Sequence, residues 1–351
     1  AGMFTTSATA AAPVHLCRRV LARHETVRSI VVNSGNANAL TGSHGEDAAA
    51  AMAVATERVC GGPALVLSTG VIGVPLPVDR VVDGIAATAA ELSREASVGV
   101  ARAILTTDTC TKTHALEGRH QGRTFTVGGI AKGSGMIHPN MATMLAVMAT
   151  DMPVPAPELR ALLERVVDRS FHEISVDGDT STNDAVVLLA PPARDCTRAA
   201  LETLEEAVTE VARRLAGLII EDGEGATRVL DLQVIGAARE PDARAVAKAV
   251  ARSSLVKTAL AGGDPNWGRI LAAAGTAGVA LDPRSLSLDI GPHRVFHRGQ
   301  PTFADGDLLA RVFEQDRVTV TLDLGTGAAI SRVLTTDLTH RYVEINSEYT
   351  T

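Results

Sequence analysis

The chain has 351 residues, 46% of them hydrophobic, and a formal net charge of -7 with no block of like charges. That is enough apolar material for one large domain or two, and the acidic balance excludes a nucleic-acid or polybasic membrane partner, leaving small molecules as ligands. The four cysteines, Cys17, Cys60, Cys110 and Cys196, are widely spaced without a C-x-x-C pair, which indicates neither a zinc site nor a disulfide framework and fits a reducing, cytoplasmic setting.

In chain order, the opening AGMFTTSATAAAPV reads as a loop that does not start on an initiator methionine, so a leading segment is expected to be missing. SIVVNS (29–34) and ALVLS (64–68) are short apolar runs ended by turn residues and read as buried strands. EDAAAAMAVATERVC from Glu46 and VDRVVDGIAATAAEL from Val78 carry apolar residues at helical spacing. TFTVGGIAK, TMLAVMATD and AVVLLA predict strands, and APELRALLERVVDRSF and RAALETLEEAVTEVARRLAGLI predict long amphipathic helices. RVLDLQVIG from Arg228, LSLDIG from Leu286 and VTVTLDLG from Val318 alternate at period two, as half-buried strands do. Interleaved helices and strands predict an α/β (α+β) fold of layered sheets covered by helices. No apolar run reaches the roughly 18 residues needed to span a bilayer.

Chemistry is expected where small, polar, glycine-punctuated loops interrupt this plan: NSGNANALTG (33–42), STGVIG (68–73), TTDT (106–109), DGDTSTND (177–184) and DGEGAT (222–227). Such loops let a ligand approach the backbone closely and can aim N–H groups at an anion. No G-x-x-x-x-G-K-[ST], no G-x-G-x-x-G after a strand and no G-x-S-x-G is present, which argues against P-loop, Rossmann and serine-hydrolase readings. Asp177, Asp179 and Asp184 miss the EF-hand spacing and read as a hydrogen-bonded turn. The ten histidines show no metal-binding spacing, so no metal is expected; His138 is the one that falls in a promising loop.

The stretch KGSGMIHPNMATMLAVMATD (132–151) runs from a glycine-loosened turn into an apolar strand, with the junction at Ala142-Thr143. A threonine hydroxyl is a poor nucleophile, and one remedy is to make it N-terminal so that its own α-amino group is the base. That amine has a reference pKa of about 7.7–8.0, so a useful fraction is neutral near physiological pH. Such a terminus arises if Thr143 attacks the Ala142 carbonyl and water releases the resulting ester. The alternative is that Thr143 merely starts a buried strand.

KGSGMIHPNMATML, together with STGVIG, TTDT, DGDTSTND, DGEGAT, GGDPNWGRI and the terminal EINSEYTT, resembles the glutamate N-acetyltransferase/ornithine acetyltransferase family of arginine biosynthesis, nearly end to end. The departure is at the start, where family members carry a further segment. The resemblance implies a DmpA/ornithine-acetyltransferase-like fold with an N-terminal-nucleophile site. It also implies self-cleavage between Ala142 and Thr143, giving an α chain (1–142) and a β chain (143–351) that stay assembled as an α2β2 heterotetramer. It assigns an oxyanion hole to Thr69 (hydroxyl) and Gly70 (backbone N–H), and substrate contacts to Thr106, Lys132, Thr143, Glu224, Asn346 and Thr351, with Thr107 as the rival of Thr106.

The implied reaction moves acetyl from N2-acetylornithine to glutamate without a cofactor, acetyl-CoA being an alternative donor that some members accept. The residue types suit it: acyl transfer needs a nucleophile, a base and oxyanion donors, and amino-acid substrates need both a cation (Lys132) and an anion (Glu224). Lys132 stands out because the chain has only four lysines. Taken alone, Glu224 could equally be a helix-end carboxylate, Asn346 and Thr351 mere tail residues, and Trp267 in GGDPNWGRI a structural indole filling a core gap. The asparagines of NSGNANALTG are expected beside the STG turn. Two other readings stay open: an N-terminal-nucleophile amidohydrolase or aminopeptidase, and an uncleaved amino-acid-binding protein.

Overall fold

The computed structural model describes residues 1–138, 144–303 and 305–348. Its strands, in chain order, are β1 (Gly2–Phe4), β2 (Ser29–Asn36), β3 (Ala64–Val71), β4 (Lys112–His120), β5 (Arg123–Lys132), β6 (Leu145–Thr150), β7 (Ile174–Ser175), β8 (Ala185–Leu189), β9 (Val229–Ala237), β10 (Ser287–Ile290), β11 (His293–His297), β12 (Gln300–Pro301), β13 (Arg317–Asp323) and β14 (Ala329–Thr336). They form three sheets distributed over two compact units, which among the described residues comprise 1–172 and 179–219, and 173–178 and 220–348.

The first unit holds a five-stranded sheet of order β1-β8-β6-β5-β4 and the parallel pair β2-β3. β6 pairs parallel with β8 and antiparallel with β5, so it lies inside the sheet with both edges satisfied. β3 is apolar on both faces because both are covered, as parallel strands usually are. Leu65 and Leu67 pack with Val14 and Cys17 of the helix Ala12–Arg23 and with Leu145 and Val187 of the larger sheet. Val66 faces the other way, into a cluster with Ala48, Met52 and Ile85. The helix Arg198–Glu221 buries Leu204, Val208, Val211 and Leu215, spaced as one helical face. A Cβ at Gly129 of β5 would sit 2.9 Å from Leu215 Cδ1, so this glycine lets helix and sheet approach.

The second unit is built on a seven-stranded sheet of order β12-β11-β10-β13-β9-β14-β7. The helix Glu240–Ala251 buries Ala243, Val246, Ala247 and Val250 in one cluster with Leu230, Leu232 and Val234 of β9. The layered α/β plan is therefore present, and no helix among the described residues is long and apolar enough to cross a membrane.

Several local expectations differ from the structure. STG is not a turn: Thr69 and Gly70 lie within the last three residues of β3, which runs on to Val71. The opening stretch, expected as loop, contributes β1 and the start of the helix Ala12–Arg23. The strand expected from Thr143 begins at Leu145, and Thr143 lies outside the described residues. Asn346 is not in a loose tail but in the helix His340–Glu348. Trp267 opens the helix Trp267–Ala274 and packs on Phe296, ring centroids 5.6 Å apart, which is the structural role expected of it.

Candidate active site

The parallel register of β2 and β3 sets Asn33 opposite Ser68, Ser34 opposite Thr69 and Gly35 opposite Gly70. Both strands thus deliver their polar loops at the same carboxyl end, the end where parallel strands joined by crossover helices hold ligands. Gly70 has φ +128°, and a Cβ there would lie 2.3 Å from the Gly35 carbonyl carbon and 2.5 Å from the Asn36 nitrogen. Two backbones meet at this point, and only glycine fits.

Asparagines brace the junction, as expected from the sequence. Asn33 Nδ2 donates to the Asn36 carbonyl at 2.8 Å while its Oδ1 accepts from Ser68 Oγ at 2.5 Å. Asn183, from DGDTSTND, donates to the Ala37 and Ser68 carbonyls at 2.6 and 2.9 Å, tying both loops together. The next residue, Asp184, is fully buried, and its Oδ1 accepts the Met144 N–H at 3.1 Å. That amide belongs to the peptide bond following Thr143. Burial pushes the Asp184 carboxyl well above the usual range, against the pull of Met144 N–H, the Thr5 hydroxyl, the Lys132 charge and Ser181.

Lys132, the last residue of β5, is 2% exposed and sits among the STG and TTDT segments. Its ammonium donates to Thr106 Oγ1 at 2.7 Å and to Thr69 Oγ1 at 3.3 Å. A hydroxyl that accepts on a lone pair still has its own hydrogen to give, so both threonines can act as donors toward a ligand. Thr107 points elsewhere, its hydroxyl 2.7 Å from Ser134 Oγ.

Asp108 and Lys112, which the sequence does not single out, complete this cluster. Asp108 Oδ1 accepts from Lys112 Nζ at 2.7 Å and from the Gly133 N–H at 2.6 Å; its Oδ2 accepts the Thr106 N–H at 3.1 Å and lies 3.6 Å from Lys132 Nζ. Burial alone would raise the Asp108 pKa, but the charges of Lys132 and Lys112 and these hydrogen bonds outweigh it and hold the carboxyl below its ordinary value. His138 is buried nearby in sequence, with 7% exposure.

In the second unit, Glu224 Oε2 accepts from Asn346 Nδ2 at 2.8 Å, so the DGEGAT carboxylate and the C-terminal asparagine are brought together. Gly225 makes this contact close: its φ is +66°, and a Cβ would lie 2.4 Å from the Tyr342 nitrogen of the helix His340–Glu348. Tyr342 in turn donates its phenol hydrogen to Asp177 Oδ2 at 3.3 Å. The remaining expected site residues, Ala142, Thr143 and Thr351, lie outside the described residues. Among the described residues no group of three or more His, Cys, Asp or Glu is placed to hold a metal ion.

The chain resembles several known proteins. The ArgJ family model matches residues 1–351. The "Arginine biosynthesis bifunctional protein ArgJ" of Parasynechococcus marenigrum is 45% identical over 357 residues, covering 100% of this chain and 87% of the relative. The protein of the same name from Symbiobacterium thermophilum is 47% identical over 361 residues, covering 100% and 89%. Among solved structures, the Bacillus halodurans arginine biosynthesis bifunctional protein matches with a TM-score of 0.54 at 32% identity, over 57% of this chain and 96% of that one.

Proposed function

The chain belongs to the ArgJ family, and on that premise we propose that it moves an acetyl group from N2-acetylornithine to glutamate by way of an acetyl ester on Thr143, as a glutamate N-acetyltransferase. The observation that carries the site assignment is the Lys132 ammonium bridging the Thr69 and Thr106 hydroxyls at the end of β3. An ammonium that occupies an acceptor site on each hydroxyl leaves both O–H groups to donate.

The mechanism begins with self-cleavage before Thr143, which frees its α-amino group as base. The amine takes the Thr143 hydroxyl proton as Oγ attacks the acetyl carbonyl of N-acetylornithine. Thr69 O–H and Gly70 N–H receive the developing oxyanion, the position at which one donor is typically worth about 100- to 1,000-fold in rate. The tetrahedral adduct collapses, the ammonium returns its proton to the departing ornithine amine, and the acetyl group remains on Oγ. The amine of glutamate then attacks the ester by the reverse sequence, giving N-acetylglutamate and restoring the Thr143 hydroxyl. Lys132 and Thr106 would serve the substrate's carboxylate end. The assignment of Thr106 rather than Thr107 rests on the Lys132 contact, since Thr107 is turned to Ser134.

Acetyl-CoA is retained as a second donor in this proposal, in keeping with the word bifunctional in the relatives' names. The α and β chains are assigned an α2β2 assembly. The test is to incubate the cleaved protein with N-acetylornithine in the presence and absence of glutamate. N-acetylglutamate should form when glutamate is present; release of free acetate at the same rate with or without glutamate would instead identify an amidohydrolase. An intact single chain without turnover would identify a binding protein.

A further inference from the structure

Lys132 and Thr106 must be held in place by something, since a lysine side chain has four rotatable bonds and Thr106 lies in a loop rather than in a strand. The groups that fix them are Asp108 and Lys112. Asp108 contacts the TTDT backbone at Thr106 N–H, the Lys132 ammonium, and the Gly133 N–H immediately after β5. Its other tie is Lys112, the first residue of β4, whose side chain is fully buried, like that of Asp108. Lys112 pairs across the β4–β5 ladder with Ala131, the neighbour of Lys132. The carboxylate is therefore referred to two hydrogen-bonded strands, and sites referred to strands are held more tightly than sites carried by loops.

We propose that Asp108, anchored by Lys112, is the positioning residue of the active site: it sets the Lys132 ammonium and the Thr106 hydroxyl at the geometry that acetyl transfer requires. This rests on the acetyl-transfer reading above and adds to it two residues that touch no substrate. Each oxygen of the carboxylate serves two groups. Oδ1 takes the Lys112 anchor and Gly133; Oδ2 takes the Thr106 N–H and faces Lys132. A shift of the carboxyl group moves the cation and the loop together. A misplacement of about 1 Å at supporting positions can lower a rate by roughly 100-fold.

A plain structural ion pair would have a different signature, and a double-mutant cycle separates the two. Asp108→Glu keeps the charge and all acceptors but lengthens the side chain by one methylene group. Single-turnover acetylation of Thr143 by N-acetylornithine should fall by about 100-fold in this variant, with thermal unfolding close to wild type. Lys132→Met should also acetylate slowly. In the double variant the combined loss should fall short of the product of the two, because Asp108 acts in part through the group already removed. Losses that multiply, or wild-type acetylation by Asp108→Glu, would overturn the proposal. Should Asp108→Glu fail to fold, Asp108→Asn enters the same cycle with unchanged shape; failure of both to fold would mark Asp108 as a fold element and equally overturn it. Wild-type protein is measured alongside, so absence of any acetyl-enzyme there would identify failure of the acetyl-transfer reading itself.

Discussion

At the scale of the residue, Thr69 carries the sharpest expectation. Its hydroxyl accepts from Lys132 and can donate to the oxyanion that develops on the way to the tetrahedral adduct and is absent from the bound substrate. Thr69→Val removes that donor at similar volume, so kcat should fall by about 100-fold or more while the affinity for N-acetylornithine changes little. A variant that lost affinity and kept kcat would make Thr69 a binding group instead. Scarcity of lysine was a legible signal for Lys132, and it extends further than the sequence reading took it: Lys112 and Lys257 are also buried, at 0% and 3% exposure. Asp108 was not legible, because an aspartate inside TTDT looks like any turn carboxylate until the two lysines are seen against it.

Lys257 shows what such burial does to stability. Its ammonium donates to the Thr335 and Thr336 hydroxyls at 3.3 and 3.0 Å and to the Thr336 carbonyl. Burial lowers its pKa from the ordinary 10.5 to about 8, against the opposing charges of Asp177 and Asp337. Between these values the unfolded chain binds more protons than the folded one, so stability rises with pH across this window. Relative to Lys257→Met, the wild type should gain up to about 3 kcal/mol between pH 8 and pH 10.5 and show no relative change below that window. Denaturant unfolding of the pair at several pH values measures it, and a difference independent of pH would show that burial does not perturb Lys257.

At the scale of the element, the β2–β3 pair is where local sequence and function meet. ALVLS is readable because both of its faces are buried, and SIVVNS because its apolar run is continuous, although β2 is only half-buried and not the buried strand expected. The length of β3 is not readable, since Ser68, Thr69 and Gly70 carry turn chemistry but are held extended by their register with Asn33, Ser34 and Gly35. Gly70→Ala should destabilise by about 3 kcal/mol or more, combining a positive φ with a backbone clash. Thermal unfolding tests this, and a near-neutral variant would show that the two strands can separate.

Two elements that escaped prediction share a physical cause. β4 alternates but buries only Lys112 and half-buries His114, Leu116, Gly118 and His120, so a single large apolar residue marks that face and no apolar period can be read. The helix His340–Glu348 has no buried residue at all, and its EINSE sequence resembles a solvated tail. Its place is set by close contact with the DGEGAT loop, through Gly225 against Tyr342 and through Thr339 Oγ1 donating to the Gly225 carbonyl at 2.6 Å. Such tertiary contacts leave no local periodicity.

At the scale of the whole molecule, the proposed cut before Thr143 falls within the first compact unit rather than at a boundary between units. β1, β4 and β5 would belong to the α chain and β6 and β8 to the β chain, yet β5 pairs with β6 and β1 with β8. The two chains are interleaved in one sheet, so cleavage should leave them associated. They should co-migrate on size exclusion in native buffer and separate only in denaturant; separation without denaturant would contradict the shared sheet.

Intact-mass analysis of the β chain after brief exposure to N-acetylornithine tests most directly whether the acetyl group passes through Thr143. The β chain should begin at Thr143 and gain the mass of one acetyl group, an adduct that disappears on addition of glutamate and never forms in Thr143→Ala. A β chain that stays unmodified while N-acetylglutamate accumulates, or Thr143→Ala protein that still transfers acetyl, would contradict passage through Thr143.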